Sequence, residues 1–177
     1  MSRVIHRSQA QNEIETKKLL GAVLAAELVV PSTHLWLVAP SVADMEMLDN
    51  SAGMYTELSR FGRRAIRLAE VLGALADRGA SIVVVTSFDQ RNRAFRHRLE
   101  FLAQDLRVSD RVRFVVDDIE QSGAKTLVGD DFVLTGGMDL TYGGIELREC
   151  QVELRADLPY VTEARMEMWD RFGDAPR

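Results

Sequence analysis

The chain has 177 residues, a length that suits one compact domain with a sizeable core, here taken as a single domain over 1–177. Hydrophobic residues make up 46% and charged residues 28%, a globular rather than a disordered composition. The formal net charge of −5 argues against broad, sequence-independent nucleic-acid binding, which needs an excess of Lys and Arg, while leaving room for a local basic groove. A single cysteine, Cys150, rules out an internal disulfide and a cysteine-based zinc site, and points to a reducing cytoplasm. The opening MSRVIHRSQA lacks the apolar core and cleavage pattern of a secretory signal. The longest apolar run, Leu19 to Val30, contains Glu27 and is too short to span a bilayer, so no membrane association is expected.

Residues 1–11 read as a polar, irregular lead-in, with Val4 and Ile5 able to form a short edge strand. Asn12 and Glu15 have capping-box spacing, and Ile14, Leu19, Leu20, Val23 and Leu24 recur at helical intervals, which predicts a helix over about 12–29. Pro31 and Ser32 end it. Thr33 to Ala39 is an apolar strand stopped by Pro40. Ser41 to Gly62 has a weak pattern and reads as a long loop or short helical turns, of a kind often functional. Arg63 to Arg78 is predicted helical, with Ile66, Leu68, Leu72 and Leu75 inward and Gly79 closing it. Ser81 to Thr86 is a nearly all-apolar run, the pattern of a strand buried on both faces. A helix over 89–105 with Phe95, Leu99 and Leu102 on one stripe follows, then a strand at Val112–Val116. A further strand at Cys150–Leu154 and a closing helix near Pro159–Phe172 complete the order. Strands alternating with helices predict an α/β fold, a mixed sheet covered by helices on both faces. No G-x-G-x-x-G or P-loop follows any strand, which removes the best support for a nucleotide-binding domain.

Between the last two strands lies QSGAKTLVGDDFVLTGGMDLTYGG, from Gln121 to Gly144. Lys125–Val128 and Phe132–Thr135 are β-branched and aromatic runs around the turn Gly129-Asp130-Asp131, a hairpin signal. A glycine loop from Gly136 to Thr141 then brings backbone N–H groups within reach of a ligand. A lysine, acids and a Gly-Gly loop within about fifteen residues of one another make a candidate anion-handling site.

This segment resembles the signature of the phospholipase D superfamily, His-x-Lys-x4-Asp followed by Gly-Ser-x-Asn. Lys125 falls on the Lys, Asp130 on the Asp and Gly136 on the first Gly. Gly123 stands at the His position, Gly137 replaces the Ser and Asp139 the Asn, and the interval from Asp130 to Gly136 is one residue short of the commonest spacing. The likeness in element order covers roughly residues 30–155 and implies a phospholipase D-like fold of phosphodiesterase or nuclease ancestry. In that family one His attacks phosphorus, a second protonates the leaving oxygen, and Lys, Ser and Asn hold the non-bridging oxygens without a metal or other cofactor. Single-motif members pair, so the resemblance also implies a homodimer. More narrowly, LDN at 48–50, IRLAEVLGALADRG at 66–79 and VGDDFVLTGGMDLTYGG at 128–144 are similar to small phospholipase D-like proteins of bacterial phage-defence islands that carry deazaguanine DNA-modification genes.

With Gly123 there is no nucleophile at the motif position. The reading is therefore a pseudoenzyme, a binding or assembly subunit working with DNA or protein partners of a defence system. The alternative is an active metal-independent nuclease that takes a histidine from elsewhere or from a partner chain. His34 opens a core strand and reads as structural, His97 lies in an Arg-rich helix and reads as solvated, and His6 is in the lead-in. Lys125, Gly136, Gly137, Asp139 and Glu149 would form the phosphate site, with Glu149 at the position of the acid that orients the His in active members. Asp139, once ionised, only accepts hydrogen bonds, so it opposes phosphate binding and either cancels the Lys125 charge or forms a plain salt bridge with it.

Asp117, Asp118, Glu120, Asp130, Asp131, Asp139 and Glu149 are numerous enough to hold a hard cation, but acids at turns are ordinarily turn residues, and no metal is expected. Arg91, Arg93, Arg96, His97 and Arg98 form the densest basic patch, followed by Arg60, Arg63, Arg64 and Arg67. Arg91, Arg93, Arg96 and Arg98 are candidates for DNA phosphates, with a solvated helix face or a protein-binding surface as the alternative. Few aromatic residues stand near them in sequence, so no stacking platform for single strands is expected.

Overall fold

A computed structural model describes residues 3–5, 9–119, 125–136 and 152–173, with side chains from residue 16 onward. The elements in chain order are β1 (Arg3–Ile5), α1 (Gln9–Val29), β2 (His34–Val38), β3 (Glu46–Asp49), a 3₁₀ turn (Thr56–Phe61), β4 (Ala65–Arg67), α2 (Leu68–Asp77), β5 (Ser81–Thr86), α3 (Asn92–Asp105), β6 (Val112–Val116), β7 (Lys125–Val128), β8 (Val133–Gly136), β9 (Val152–Arg155) and α4 (Leu158–Phe172).

Seven strands form one mixed sheet in the order β1-β9-β8-β7-β2-β5-β6. β2, β5 and β6 run parallel, and β7, β8, β9 and β1 add antiparallel pairs on the other side of β2. The alternation of side chains along each strand splits the core into two layers. Leu35 and Leu37 of β2, Ile82 and Val84 of β5, Leu127 and Leu134 pack against α1, α2 and α3. Trp36, Val38, Val83, Val85, Val128 and Val133 face α4 through Val161, Met168 and Phe172. Helices on both faces explain why β5 is apolar at nearly every position.

Several boundaries differ from expectation. Helix α1 starts at Gln9, inside the stretch 1–11 read as an irregular lead-in. Arg63 to Arg67 is not helical: Ile66 is buried between half-exposed Ala65 and exposed Arg67, a strand alternation, and pairs with Leu48 of β3. Helix α2 starts only at Leu68, where the Glu70 carboxylate reaches back to accept the Arg67 N–H at 2.9 Å. The apolar pair at 66 and 68 fits either period, and Glu70 decides the boundary. Ser41 to Gly62 holds the short helical turn that is one of its two predicted readings, at Thr56–Phe61, and a strand that its pattern does not predict. It contains β3 and a turn closed by buried Asn50, whose side chain accepts the Tyr55 N–H at 2.9 Å. The helix predicted from 89 begins at Asn92, because Asp89 stays outside as a turn residue whose carboxylate accepts the Arg91 N–H at 2.9 Å. Val4 and Ile5 do form an edge strand, paired antiparallel with β9.

Candidate functional site

The register places Lys125 at a definite edge of the sheet. Thr126 faces Val38, the last residue of β2, while Lys125 itself faces Gly136, which in turn faces Val152. Val85 faces Val38 and Thr86 faces Val116. Lys125 therefore stands in the row where β2, β5 and β6 end, the edge at which open α/β sheets present their ligand crevices. Lys125 is half-buried and, among the described residues, makes no ion pair. Gly136 has φ +144°, a conformation that side-chain-bearing residues rarely adopt, so the glycine at this motif position is required by the backbone.

Asp130 sits at the other end of the hairpin. Its carboxylate accepts the Thr33 N–H at 2.7 Å and is bonded as well by the Thr33 hydroxyl and by Arg165 of α4. Its own N–H donates to Ser32 Oγ at 2.8 Å. Burial alone would raise the Asp130 carboxyl, but the bonds from Thr33 and Arg165 hold it below the usual carboxylate range. The turn admits no side chain at Gly129, where a Cβ would lie 2.3 Å from the Phe132 ring and 2.7 Å from Ser32 Oγ. Lys125 and Asp130 are thus at opposite ends of β7, whose four residues extend roughly 10 Å at strand rise. The structure gives Asp130 to the framework and leaves Lys125 at the edge.

Gly123, Gly137, Asp139, Glu149 and Glu120 lie outside the described residues, as do Cys150 and His6. Of the remaining acids, Asp117 pairs with Arg171 at 3.4 Å, and Asp118 and Asp131 are exposed. His34 is half-buried against Trp36 and Trp169, with ring centroids 5.6 and 4.6 Å away. It opens β2, at the end opposite Lys125. His97 is exposed on α3.

The arginine patch on α3 divides between two faces. Arg98 turns toward α2, where its guanidinium lies 3.5 Å from the Glu70 carboxylate, a group 1% exposed that also binds Arg64 at 2.5 Å. Burial alone would raise the Glu70 carboxyl; Arg64, the Arg67 N–H and Arg98 outweigh it and hold the group below its ordinary range. The two basic clusters that sequence separates by some thirty residues therefore meet at one buried acid. Arg91 pairs with Asp89 at 2.6 Å. Arg96 pairs with Glu100 at 2.8 Å and lies over the Phe114 ring, 5.3 Å from its centroid. Arg93 is exposed and makes no ion pair among the described residues.

Arg93 and Arg96 line a cavity of about 240 Å³ where β5 and β6 end, together with Phe88, Phe95, Phe114 and Asn92. Few aromatics are expected near these arginines from sequence, and the fold brings Phe88 and Phe114 beside them. Phe88 follows β5 and Phe114 belongs to β6, so only the tertiary fold brings them to α3. Sequence reasoning also missed Asn92, which is buried. Its side-chain oxygen accepts the Val42 N–H at 2.8 Å, and its nitrogen donates to the Pro40 and Ser87 carbonyls, each at 3.0 Å. One amide thereby fixes the chain leaving β2 and the chain leaving β5, the two segments beside Lys125. The only sequence signal was an Asn at the start of an amphipathic helix.

Among the described residues, no helix is long and apolar enough to cross a membrane. No protein-family model matches the chain, and no curated protein matches it. Solved structures do. Polyphosphate kinase from Porphyromonas gingivalis superposes with a TM-score of 0.62 at 14% identity, over 98% of this chain and 26% of its own. The chain thus spans about a quarter of that protein. NucT from Helicobacter pylori gives 0.59 at 8% identity, with 100% of each chain covered. The phospholipase D family member Nuc from Salmonella typhimurium gives 0.54 at 14% identity, over 88% of this chain and 90% of its own. With helices on both faces of a mixed sheet and these likenesses over nearly its whole length, the chain has a phospholipase D-like fold.

Proposed function

We propose that this protein is a catalytically inactive phospholipase D-like subunit, a binding or assembly partner in a DNA-acting bacterial defence system, whose contact with nucleic-acid phosphates runs through Lys125 and Arg93 and is weakened by Asp139. The observation that carries this reading is the fate of the motif. Lys125 and Gly136 stand together at the carboxyl ends of the parallel strands, yet the sequence places Gly123 where the attacking imidazole belongs. The described histidines supply no substitute, since His34 is packed between two tryptophans at the far end of β2, stacked on Trp36 and edge-on to Trp169, and His97 lies on the outer surface of α3. Asp139 in place of an amide donor further opposes the transfer chemistry, because an ionised carboxylate repels the oxygens that an Asn would hold. Two copies related by a twofold axis would bring two such edges together, giving a paired groove rather than a paired active site. The defence-island role rests on the sequence likeness alone, and the cytoplasm is the compartment in which such partners would be met.

The test is direct. Purified protein incubated with a chromogenic phosphodiester and with DNA, in chelator, is expected to show no turnover and to retain DNA in a salt-sensitive, Lys125-dependent way. Chelator-resistant cleavage lost in Lys125→Ala would overturn the reading in favour of a metal-independent nuclease that borrows its histidine from outside the described residues or from a partner chain.

A further inference from the structure

We infer that the cavity at the end of β5 and β6 is a subsite for one unstacked base of a single-stranded nucleic acid whose backbone lies along the Lys125 edge. This rests on the phosphate-binding reading above and goes beyond it. The cavity has about 240 Å³, room for a nucleobase and part of its sugar, and Phe88 and Phe114 give it aromatic surface over the buried Phe95. Phe88 is 89% exposed, so its ring offers the open face that a stacking platform requires. Arg96 is held in place by Glu100 and lies over Phe114, which presents a flat cationic group beside the rings. Arg93, on the same rim, has no carboxylate to neutralise it among the described residues, so its charge is available to a phosphate.

The placement ties the cavity to the candidate site. Lys125 and Thr86 lie in one row of the sheet, two strand spacings apart, or about 10 Å. A strand whose phosphate meets Lys125 would bring a neighbouring base to Phe88 within a short stretch of nucleotides. Bases in a duplex are stacked on one another and do not offer a face to Phe88, so the site selects single strands. Stacking on aromatic rings is tolerant of sequence, as expected for a chain that shows no dedicated base-reading motif.

The experiment is fluorescence anisotropy with a labelled short oligothymidine, the same strand with abasic positions, its RNA counterpart and a duplex. The protein is expected to bind the intact single strand more tightly than the abasic one. Phe88→Ala should weaken the intact strand on the order of tenfold and erase its advantage over the abasic strand, while Phe88→Trp keeps it. Phe101→Ala, which removes an exposed ring on α3 outside the cavity, should behave as wild type. Arg93→Ala should weaken both strands alike and lower the salt slope by about one. The DNA and RNA arms then tell which backbone is preferred. Tight, Lys125-dependent binding that ignores Phe88 and the missing bases would overturn the subsite and leave the phosphate reading standing. Absence of binding to every strand would overturn both.

Discussion

Arg165 of α4 is bonded at once to the Asp130 carboxylate and to the Gly129 carbonyl, the latter at 3.1 Å, and so clamps the closing helix onto the turn between β7 and β8. Through Thr33 the same carboxylate holds the entry to β2. The motif aspartate therefore ties three parts of the chain that are far apart in sequence. Replacing it should damage stability rather than binding. Asp130→Ala removes charge-assisted bonds from partly buried partners and is expected to cost about 2–3 kcal/mol. For a domain of this size that is a fall in Tm of roughly 4–12 °C. Arg165→Ala in the Asp130→Ala background should cost much less than Arg165→Ala alone, and folded Asp130→Ala should still retain DNA. Thermal melts on the four proteins of this cycle, with DNA retention on the folded single variant, check it.

Glu27 and Asp130 are joined through Ser32 and titrate in opposite directions. The Glu27 carboxylate accepts the Ser32 N–H at 2.8 Å and its hydroxyl at 2.9 Å, yet burial outweighs these bonds and pushes the Glu27 carboxyl above its ordinary value. A raised carboxyl means that the folded state takes up a proton more readily than the unfolded chain. Stability is then gained as pH falls through the folded value of Glu27 toward the usual carboxylate range, and Asp44, raised chiefly by burial, adds a gain of the same sign. Asp130 and Glu70 are depressed, so the stability they contribute is present above the usual range and lost as pH falls through their folded values. Denaturation midpoints should accordingly pass through a maximum in mildly acid solution. Glu27→Gln is expected to flatten the rise on the neutral side of that maximum while leaving the acid fall in place, which urea titrations across pH will show.

Asn92 offers a sharper chemical contrast. Its oxygen faces one donor and its nitrogen faces two carbonyls. Asn92→Ala leaves the Val42 N–H without its acceptor and should cost about 2 kcal/mol. Asn92→Asp keeps the size and the acceptor but turns the second oxygen toward the Pro40 and Ser87 carbonyls. It should cost at least as much near neutrality, with part of the loss recovered in acid as the introduced carboxyl takes a proton and can donate. The reverse order, with the aspartate variant as stable as wild type at neutral pH, would mean that this amide does not hold the two segments together.

Most of the sheet was legible because β-branched runs such as Ser81–Thr86 and the Gly129-Asp130-Asp131 turn have few alternatives once helices flank them. The stretch from 63 to 67 was not legible, because Ile66 and Leu68 fit a helix and a strand equally and only the back-bond from Glu70 to the Arg67 N–H chooses. The site was half legible. The interval between Lys125 and Asp130 carried the resemblance, but its linear spacing hid that Lys125 lies where the parallel strands end while Asp130 is bonded into the framework at the other end of β7. Phe88 and Phe114 were invisible as neighbours of Arg93 and Arg96, since their proximity depends on β5 and β6 lying side by side. Charge counting along α3 likewise missed that Glu70, from another helix, claims Arg98.

If the Lys125 edge descends from a phosphodiesterase site, restoring the missing groups should restore chemistry. Gly123→His supplies a nucleophile, Gly137→Ser a hydroxyl donor, and Asp139→Asn exchanges a repelling carboxylate for an amide that can donate to a phosphate oxygen. The three together are expected to give chelator-resistant cleavage of a chromogenic phosphodiester where the parent gives none, and Lys125→Ala in that background should abolish it. Asp139→Asn alone should raise phosphate affinity without turnover, because it removes a negative charge but adds no nucleophile. A folded triple variant that binds phosphodiester and still does not cleave it would separate the two properties: the edge would then be a phosphate-binding surface whose geometry no longer aligns an attacking group with phosphorus.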